Sequence, residues 1–122
     1  MIRIAVCGMG RDRIATLATQ AGGDAVETLP LTDFEAANAV KTGTADYYIG
    51  ACQSGAGGAL AVANAILGSA SVIRLAGPGG TAPGAEQVRE AVQAGRKAFG
   101  VVHTQLDAAV PVIVGELIKA VQ

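Results

Sequence analysis

The fold is indicated most clearly by residues 45–67, whose sequence is ADYYIGACQSGAGGALAVANAIL. Asp46 to Ala51 is a short apolar run rich in strand-forming residues, so it predicts a buried strand. A glycine-rich loop follows, and the small apolar residues from Gly57 to Gly68 predict a helix. A buried strand that passes through a short loop into a helix is the repeating unit of parallel α/β sheets.

The same unit occurs on both sides of this stretch. A Thr32–Glu35 capping box predicts where the second helix begins. Further strands are predicted at residues 2–7, 26–29, 71–75 and 99–102, and further helices at 12–20, 33–42, 85–94 and 107–121. Five repeats predict a single Rossmann-like domain over residues 1–122, a three-layer α/β/α fold with a doubly wound parallel sheet. The predicted strand order is 2-1-3-4-5, which opens a crevice at the carboxyl ends of the first and third strands.

The composition excludes several classes of protein. The chain of 122 residues contains 25 alanines and 17 glycines, which favour thin elements packed closely together. A formal net charge of −1 and 3% aromatic residues leave neither a basic stripe nor a stacking surface for nucleic acid. No apolar run reaches the roughly 18 residues that a membrane span needs, so we expect a cytoplasmic protein without membrane contact. Two distant cysteines and one histidine form no metal motif, and nothing in the sequence calls for a cofactor.

Residues 53–58, here called the glycine loop, form the strongest candidate binding site. Their glycines let successive N–H groups point into one cavity, and the following helix adds the positive end of its dipole, so the loop suits a phosphate or carboxylate. Ser54 can donate a further hydrogen bond, and Cys52 lies where a thiol can act as a base. The predicted ligand-binding residues here are Gln53, Gly55, Ala56, Gly57 and Gly58. Alternatively, the glycines only permit close packing and Cys52 is a small buried hydrophobe.

The loop after the first strand, CGMGRDR at residues 7–13, is the second candidate. We predict that Gly8, Gly10 and Arg11 contribute to the anion site, with Arg11 as the charged partner. The spacing from Cys7 to Arg13 resembles that of low-molecular-weight tyrosine phosphatases, and the stretch is similar to the phosphocysteine loop of sugar-phosphotransferase B components. The phosphatase pattern is incomplete, since Ile14 stands where those enzymes have Ser or Thr. Alternatively, the glycines shape the turn and Cys7 packs in the core.

His103 is the third candidate, because it ends the fifth strand at the same edge of the sheet and its imidazole titrates near neutral pH. A polar residue at a strand-to-helix junction is the alternative interpretation. Tyr47 and Tyr48 open the third strand at its amino end, so they are assigned to structure or assembly.

Residues 33–64 resemble two families. The motifs DYYIGAC at 46–52 and SGAG at 54–57 are similar to those of the uncharacterised bacterial YhfU family, and the similarity extends over most of the chain. The same region more distantly resembles ribose-5-phosphate isomerase B and galactose-6-phosphate isomerases. That resemblance implies that Cys52 transfers the proton, that Ser54, Gly55 and Gly57 hold the enediolate oxygens, and that His103 opens the sugar ring. Gln53 replaces the first loop glycine of those enzymes, and their Asp-His pair is absent from the first loop.

The leading hypothesis is therefore a protein that binds a small anionic metabolite, with an aldose–ketose proton transfer as the reaction if it is an enzyme. A non-catalytic binding or regulatory subunit is one alternative, and phosphotransfer through Cys7 is the other. The predicted third helix is apolar almost all round, so it is either buried or shared with a second copy. The resemblance to the isomerases, which form dimers, implies a homodimer.

Overall fold

The computed structural model describes residues 1–53, 57–75 and 81–121, and its elements follow the predicted alternation. The strands are β1 (Ile2–Gly8), β2 (Val26–Pro30), β3 (Tyr47–Cys52), β4 (Val72–Arg74) and β5 (Ala98–Val102). The helices are α1 (Arg11–Gly22), α2 (Asp33–Thr42), α3 (Gly57–Leu67), α4 (Ala85–Gln93) and α5 (Leu106–Val121). Short 3-10 helices occupy Gly23–Ala25, Ser69–Ser71 and His103–Gln105. The predicted capping box is present, since the Thr32 hydroxyl accepts from the Glu35 N–H and the Glu35 side chain accepts from the Thr32 N–H.

The five strands form one all-parallel sheet in the order β2-β1-β3-β5-β4. The predicted α/β fold class is therefore confirmed, but the predicted order 2-1-3-4-5 is wrong in its last two strands. The reason is burial: residues 98–101 of β5 are all buried, which suits a strand paired on both sides. The three residues of β4 are all partly or fully exposed, which suits a short strand at the edge.

The exchange of β4 and β5 also decides which face α4 covers. The chain passes beyond the position of β5 to form β4 and then returns, so a right-handed connection places α4 on the same face as α1 and α5. Contacts of α5 with both α1 and α4, and of α2 with α3, confirm this division of the helices.

Each face of the sheet has its own apolar core. On the side of α1, α4 and α5, Ile49 and Phe99 pack in a cluster with Ile113 and Leu117. On the side of α2 and α3 the cluster is built mostly from alanine around the fully buried Tyr48. Across the described residues, no helix is both long and apolar enough to cross a membrane.

Candidate functional site

The carboxyl ends of β1, β3 and β5 lie side by side because β3 pairs with both of the other strands. Gly8 pairs with Ala51, and Cys52 pairs with Val102, so His103 follows immediately beside the end of β3. Neighbouring strands are about 4.8 Å apart, whereas the predicted order would have separated β3 from β5 by about twice that distance. The observed order therefore brings His103 closer to Cys52 than the sequence analysis expected.

The directions in which the chain leaves these three strands open a crevice at their ends. It leaves β3 toward the face of α2 and α3, and it leaves β1 and β5 toward the face of α1 and α5. Both neighbours of β3 therefore turn away from it, which is the arrangement that creates binding crevices in open α/β sheets. We call this region the β3 crevice, formed by residues 8–11, 52–53 and 103–107.

The wall of the β3 crevice after β1 depends on two glycines with left-handed backbone. Gly8 has φ +83° and Gly10 has φ +71°, a conformation that other residues rarely adopt. A Cβ at Gly8 would overlap the Ala51 carbonyl oxygen, which accepts a hydrogen bond from the Met9 N–H at 2.9 Å. These observations support the interpretation that both glycines shape the turn, and their role in ligand binding stays a prediction.

The two arginines after β1 have different surroundings. Arg13 donates to the Asp107 carboxylate through Nε at 3.2 Å and Nη2 at 2.8 Å, and so ties the start of α1 to the start of α5. The hydrogen bond from Arg13 lowers the pKa of Asp107. Arg11 is exposed and donates from Nη1 to the Leu31 carbonyl oxygen at 2.9 Å. Arg11 thus stands at the β2 side of the crevice, whereas the charge of Arg13 is already paired.

The predicted groups after β3 and β5 lie at the base of the crevice. Cys52 is the last residue of β3 and is half-buried, and Gln53 after it is exposed. His103 is half-buried and begins a 3-10 turn directly after β5. Three of the predicted ligand-binding or catalytic residues, Ser54, Gly55 and Ala56, lie outside the described residues. The chain is described again from the start of α3, where Gly57 is the first helical residue and Gly58 is exposed.

The Cys7 thiol does not face the crevice. It is fully buried, 4.0 Å from the Ile49 carbonyl oxygen, and burial raises its pKa to about 12. A nucleophilic cysteine needs an accessible thiolate, so this environment counts against the phosphocysteine alternative.

Tyr48 and Asp33 are polar side chains beside the buried Cys7 thiol, and the sequence analysis gave neither of them a role there. A hydrogen bond from the Tyr48 hydroxyl acts to lower the pKa of the Cys7 thiol, whereas the Asp33 carboxylate acts with burial to raise it. Burial raises the pKa of Tyr48, and the neighbouring Cys7 raises it further. The Cys7 thiol therefore lies in the core between the Tyr48 hydroxyl and the start of α2.

The position of the Tyr48 ring depends on the absence of a side chain at Gly50. A Cβ at Gly50 would lie 2.9 Å from Tyr48 Cε1 and 3.1 Å from Cys7 Sγ, so the ring covers the space that this glycine leaves. Tyr48 begins at the amino end of β3, but its hydroxyl reaches toward the carboxyl end. The spacing Tyr48-x-Gly50-x-Cys52 carried this signal, because alternate residues of a strand share one face.

No group of three or more His, Cys, Asp or Glu side chains suited to a metal ion occurs within residues 1–53, 57–75 and 81–121. The described part of the crevice carries the Cys52 thiol, the His103 imidazole and the Arg11 guanidinium.

The fold is similar to that of ribose-5-phosphate isomerase B. The crystal structure of that enzyme from Giardia lamblia matches with a TM-score of 0.72 at 17% identity, covering 96% of this chain and 94% of that chain. The type B ribose 5-phosphate isomerase of Trypanosoma brucei matches with a TM-score of 0.73 at 17% identity, covering 98% of this chain and 86% of that chain. At such low identity, the likeness shows the fold alone.

The sequence has nearer relatives. The uncharacterized protein YhfU of Escherichia coli strain K12 is 35% identical over 117 residues, which are 96% of this chain and 99% of the relative. YhfU of Shigella flexneri matches to the same extent. The expected resemblance to the YhfU family is thereby confirmed. The family model of DUF2620, a protein of unknown function, matches residues 2–117, so this chain belongs to the DUF2620 family.

Proposed function

We propose that the β3 crevice binds a small phosphorylated or carboxylated metabolite and transfers a proton on it, in an aldose–ketose type of isomerisation. The observation that carries this proposal is the pairing of β3 with β5, which sets Cys52 beside the residue that precedes His103. A thiol and an imidazole at neighbouring strand ends are the two proton-transfer groups that such a reaction uses. The reaction class also agrees with the isomerases that share the fold.

In the proposed reaction, the Cys52 thiolate takes the proton from the carbon next to the carbonyl group of the open-chain sugar. The electron pair of that C–H bond forms the C=C bond of an enediolate, and the carbonyl oxygen takes up the negative charge. N–H groups of the glycine loop and the Ser54 hydroxyl stabilise this oxygen. The proton of the neighbouring hydroxyl group passes to the former carbonyl oxygen, and Cys52 returns its proton to the former carbonyl carbon, so that the new C=O bond forms at the neighbouring carbon. His103 moves the hydroxyl protons during ring opening.

The charged end of the metabolite is assigned to Arg11 and to the start of α3. Arg11 is exposed at the rim of the β3 crevice and its guanidinium carries several N–H donors, of which one binds Leu31. The first turn of α3 adds N–H groups and the positive end of the helix dipole. We therefore expect Arg11→Ala to weaken binding of phosphorylated sugars more than binding of the same sugars without phosphate.

Solvent exchange tests the proposal without requiring that the natural substrate be known. The protein is incubated in D₂O with ribose 5-phosphate, and separately with other aldose and ketose phosphates, and ¹H NMR follows loss of the C–H signal next to the carbonyl group. We expect deuterium incorporation by the native protein and none by Cys52→Ala. Cys7→Ala is the matched control, because it removes the other thiol, which is buried away from the crevice. Exchange that survives in Cys52→Ala would refute the catalytic role.

The same sugar phosphates, added in a thermal-shift assay, separate catalysis from binding. A phosphate that raises the melting temperature without exchange would indicate the alternative, a non-catalytic binding or regulatory subunit. If none of the sugar phosphates undergoes exchange and none raises the melting temperature, the anion site itself is contradicted. Loss of the thermal shift in Arg11→Ala, with the fold retained, would place the bound anion at the rim of the crevice.

We also propose that a second copy of the chain covers the outer face of α3. Leu60 and Ala63 are buried on its inner side, whereas Ala61 and Ala65 are exposed on the outer side. Small apolar side chains at this spacing allow close approach of another helix. Light scattering coupled to size-exclusion chromatography is expected to give a dimer, and Ala61→Glu a monomer. Ala21→Glu, at an exposed position of α1, is the control, and a dimer that persists in Ala61→Glu would contradict this interface.

A further inference from the structure

A second cavity lies far from the β3 crevice, at the other end of the sheet. It has a volume of about 390 Å³ and lies between the carboxyl-terminal halves of α4 and α5. Its lining residues are Arg89, Val92, Gln93, Glu116, Lys119 and Ala120. Cavities that bind small molecules have this size and this combination of apolar walls with a few polar groups.

The unusual member of the lining is Glu116. Its side chain is only 5% exposed, and among the residues that the structure describes Glu116 is the one charged residue that is buried. On α5 it lies beside Leu117 and one turn after Ile113, both fully buried. A buried carboxylate costs free energy unless other groups compensate its charge, and here Glu116 Oε2 accepts from Lys119 Nζ at 3.0 Å, although the Lys119 side chain is 71% exposed.

The electrostatics of the cavity suit a molecule that carries both charges. Glu116 supplies the negative charge of the lining, and Lys119 Nζ contacts only its Oε2, so we assign a ligand's ammonium group to Oε1. Arg89 lines the α4 side of the cavity. Its Nη2 lies 3.7 Å from Glu86 Oε1, and both of these side chains are exposed. Because an exposed ion pair contributes little free energy, Arg89 can exchange Glu86 for the carboxylate of a ligand at small cost.

We propose that this cavity, here called the α4–α5 site, binds a free amino acid, with the ammonium group on Glu116 and the carboxylate on Arg89. The volume accommodates the backbone groups of an amino acid together with a side chain packed on Val92 and Ala120. The site is separate from the β3 crevice, since the crevice borders the first residues of α5 and the site lies near the last residues of α5.

The test is an NMR titration of the ¹⁵N-labelled full chain with each common amino acid at millimolar concentrations. At least one amino acid is expected to cause saturable shifts confined to the amides of residues 86–93 and 113–121. Acetate and methylamine serve as probes that carry only one of the two charges. Either of them binding as tightly as the amino acid would overturn the proposed recognition of both groups.

Variants then assign the contacts. We expect Glu116→Gln and Arg89→Ala each to weaken binding about tenfold or more, which corresponds to one or more charged hydrogen bonds. Glu90→Gln is the matched control, because it removes the same charge from an exposed position of α4 outside the cavity, and its affinity should be unchanged. Arg89 is exposed, so Arg89→Ala remains informative if Glu116→Gln fails to fold. No saturable shift with any amino acid, or unchanged affinity in both variants, would overturn the proposal.

Discussion

Replacing Gly8 with alanine should destabilise the protein far more than the same replacement at Gly43. Both glycines have nearly the same left-handed backbone, with φ +83° at Gly8 and φ +84° at Gly43. An alanine in this conformation costs about 1–2 kcal/mol at either position. At Gly43 a new Cβ has no neighbour within 4 Å, whereas at Gly8 it overlaps the carbonyl oxygen of Ala51 and lies 3.0 Å from Ala51 N.

The overlap at Gly8 involves backbone of the paired strand β3, which a rotamer change cannot relieve. Moving β1 away from β3 disturbs packing at a cost of about 1–3 kcal/mol, in the range found for overpacked cores. We therefore expect Gly8→Ala to lower the free energy of unfolding by about 2–5 kcal/mol, against about 1–2 kcal/mol for Gly43→Ala.

Urea unfolding followed by circular dichroism measures both free energies under the same conditions. Because the conformational cost is common to the two variants, their difference isolates the contact with Ala51. A difference of less than about 0.5 kcal/mol would refute the reasoning that the β1 loop is fixed by close approach to β3. Gly8→Ala should also impair ligand binding at the β3 crevice, since the displaced loop carries Arg11.

Three further predictions concern local features. Thr32→Ala removes the hydroxyl that caps α2 and should lower the free energy of unfolding by about 1 kcal/mol, measured by urea unfolding. Cys7 should react with a thiol reagent such as DTNB far more slowly than Cys52 in the folded protein, because burial raises the pKa of Cys7 to about 12; equal rates in the Cys7→Ser and Cys52→Ser variants would contradict its placement. Burial acts to raise the pKa of Asp46, but hydrogen bonds from the Arg3 N–H and guanidinium outweigh it and hold the pKa below its usual value. The stability that Asp46 contributes should therefore be present above about pH 4 and be lost as the pH falls, and Asp46→Asn should flatten the acid limb of stability against pH.

The elements of the fold were predictable because their signals are local. Short apolar runs identified the strands, and a hydroxyl three residues before a carboxylate identified the start of α2. Part of the site was predictable for the same reason: the residue that ends a parallel strand lies at the carboxyl edge of the sheet, wherever that strand is placed. Cys52 and His103 were located in this way.

The order of the last two strands was not predictable from local signals. It depends on which of β4 and β5 buries more surface between its neighbours, and that comparison exists only when the whole sheet is assembled. The strand order also affects the candidate site, because the pairing of Cys52 with Val102 sets the spacing between the Cys52 thiol and His103.

By itself, the sequence determined an alternating α/β chain whose glycine-rich loops gather at one edge of a parallel sheet, since hydrophobic periodicity and capping act over a few residues. Only the tertiary structure decided that β5 lies beside β3, that the Tyr48 ring covers Gly50 to reach Cys7, and that Glu116 is buried between α4 and α5. Each of these outcomes involves a contact between residues distant in the chain, as between Tyr48 and Cys7. A side chain's neighbours across the sheet are fixed by packing, which no local pattern encodes.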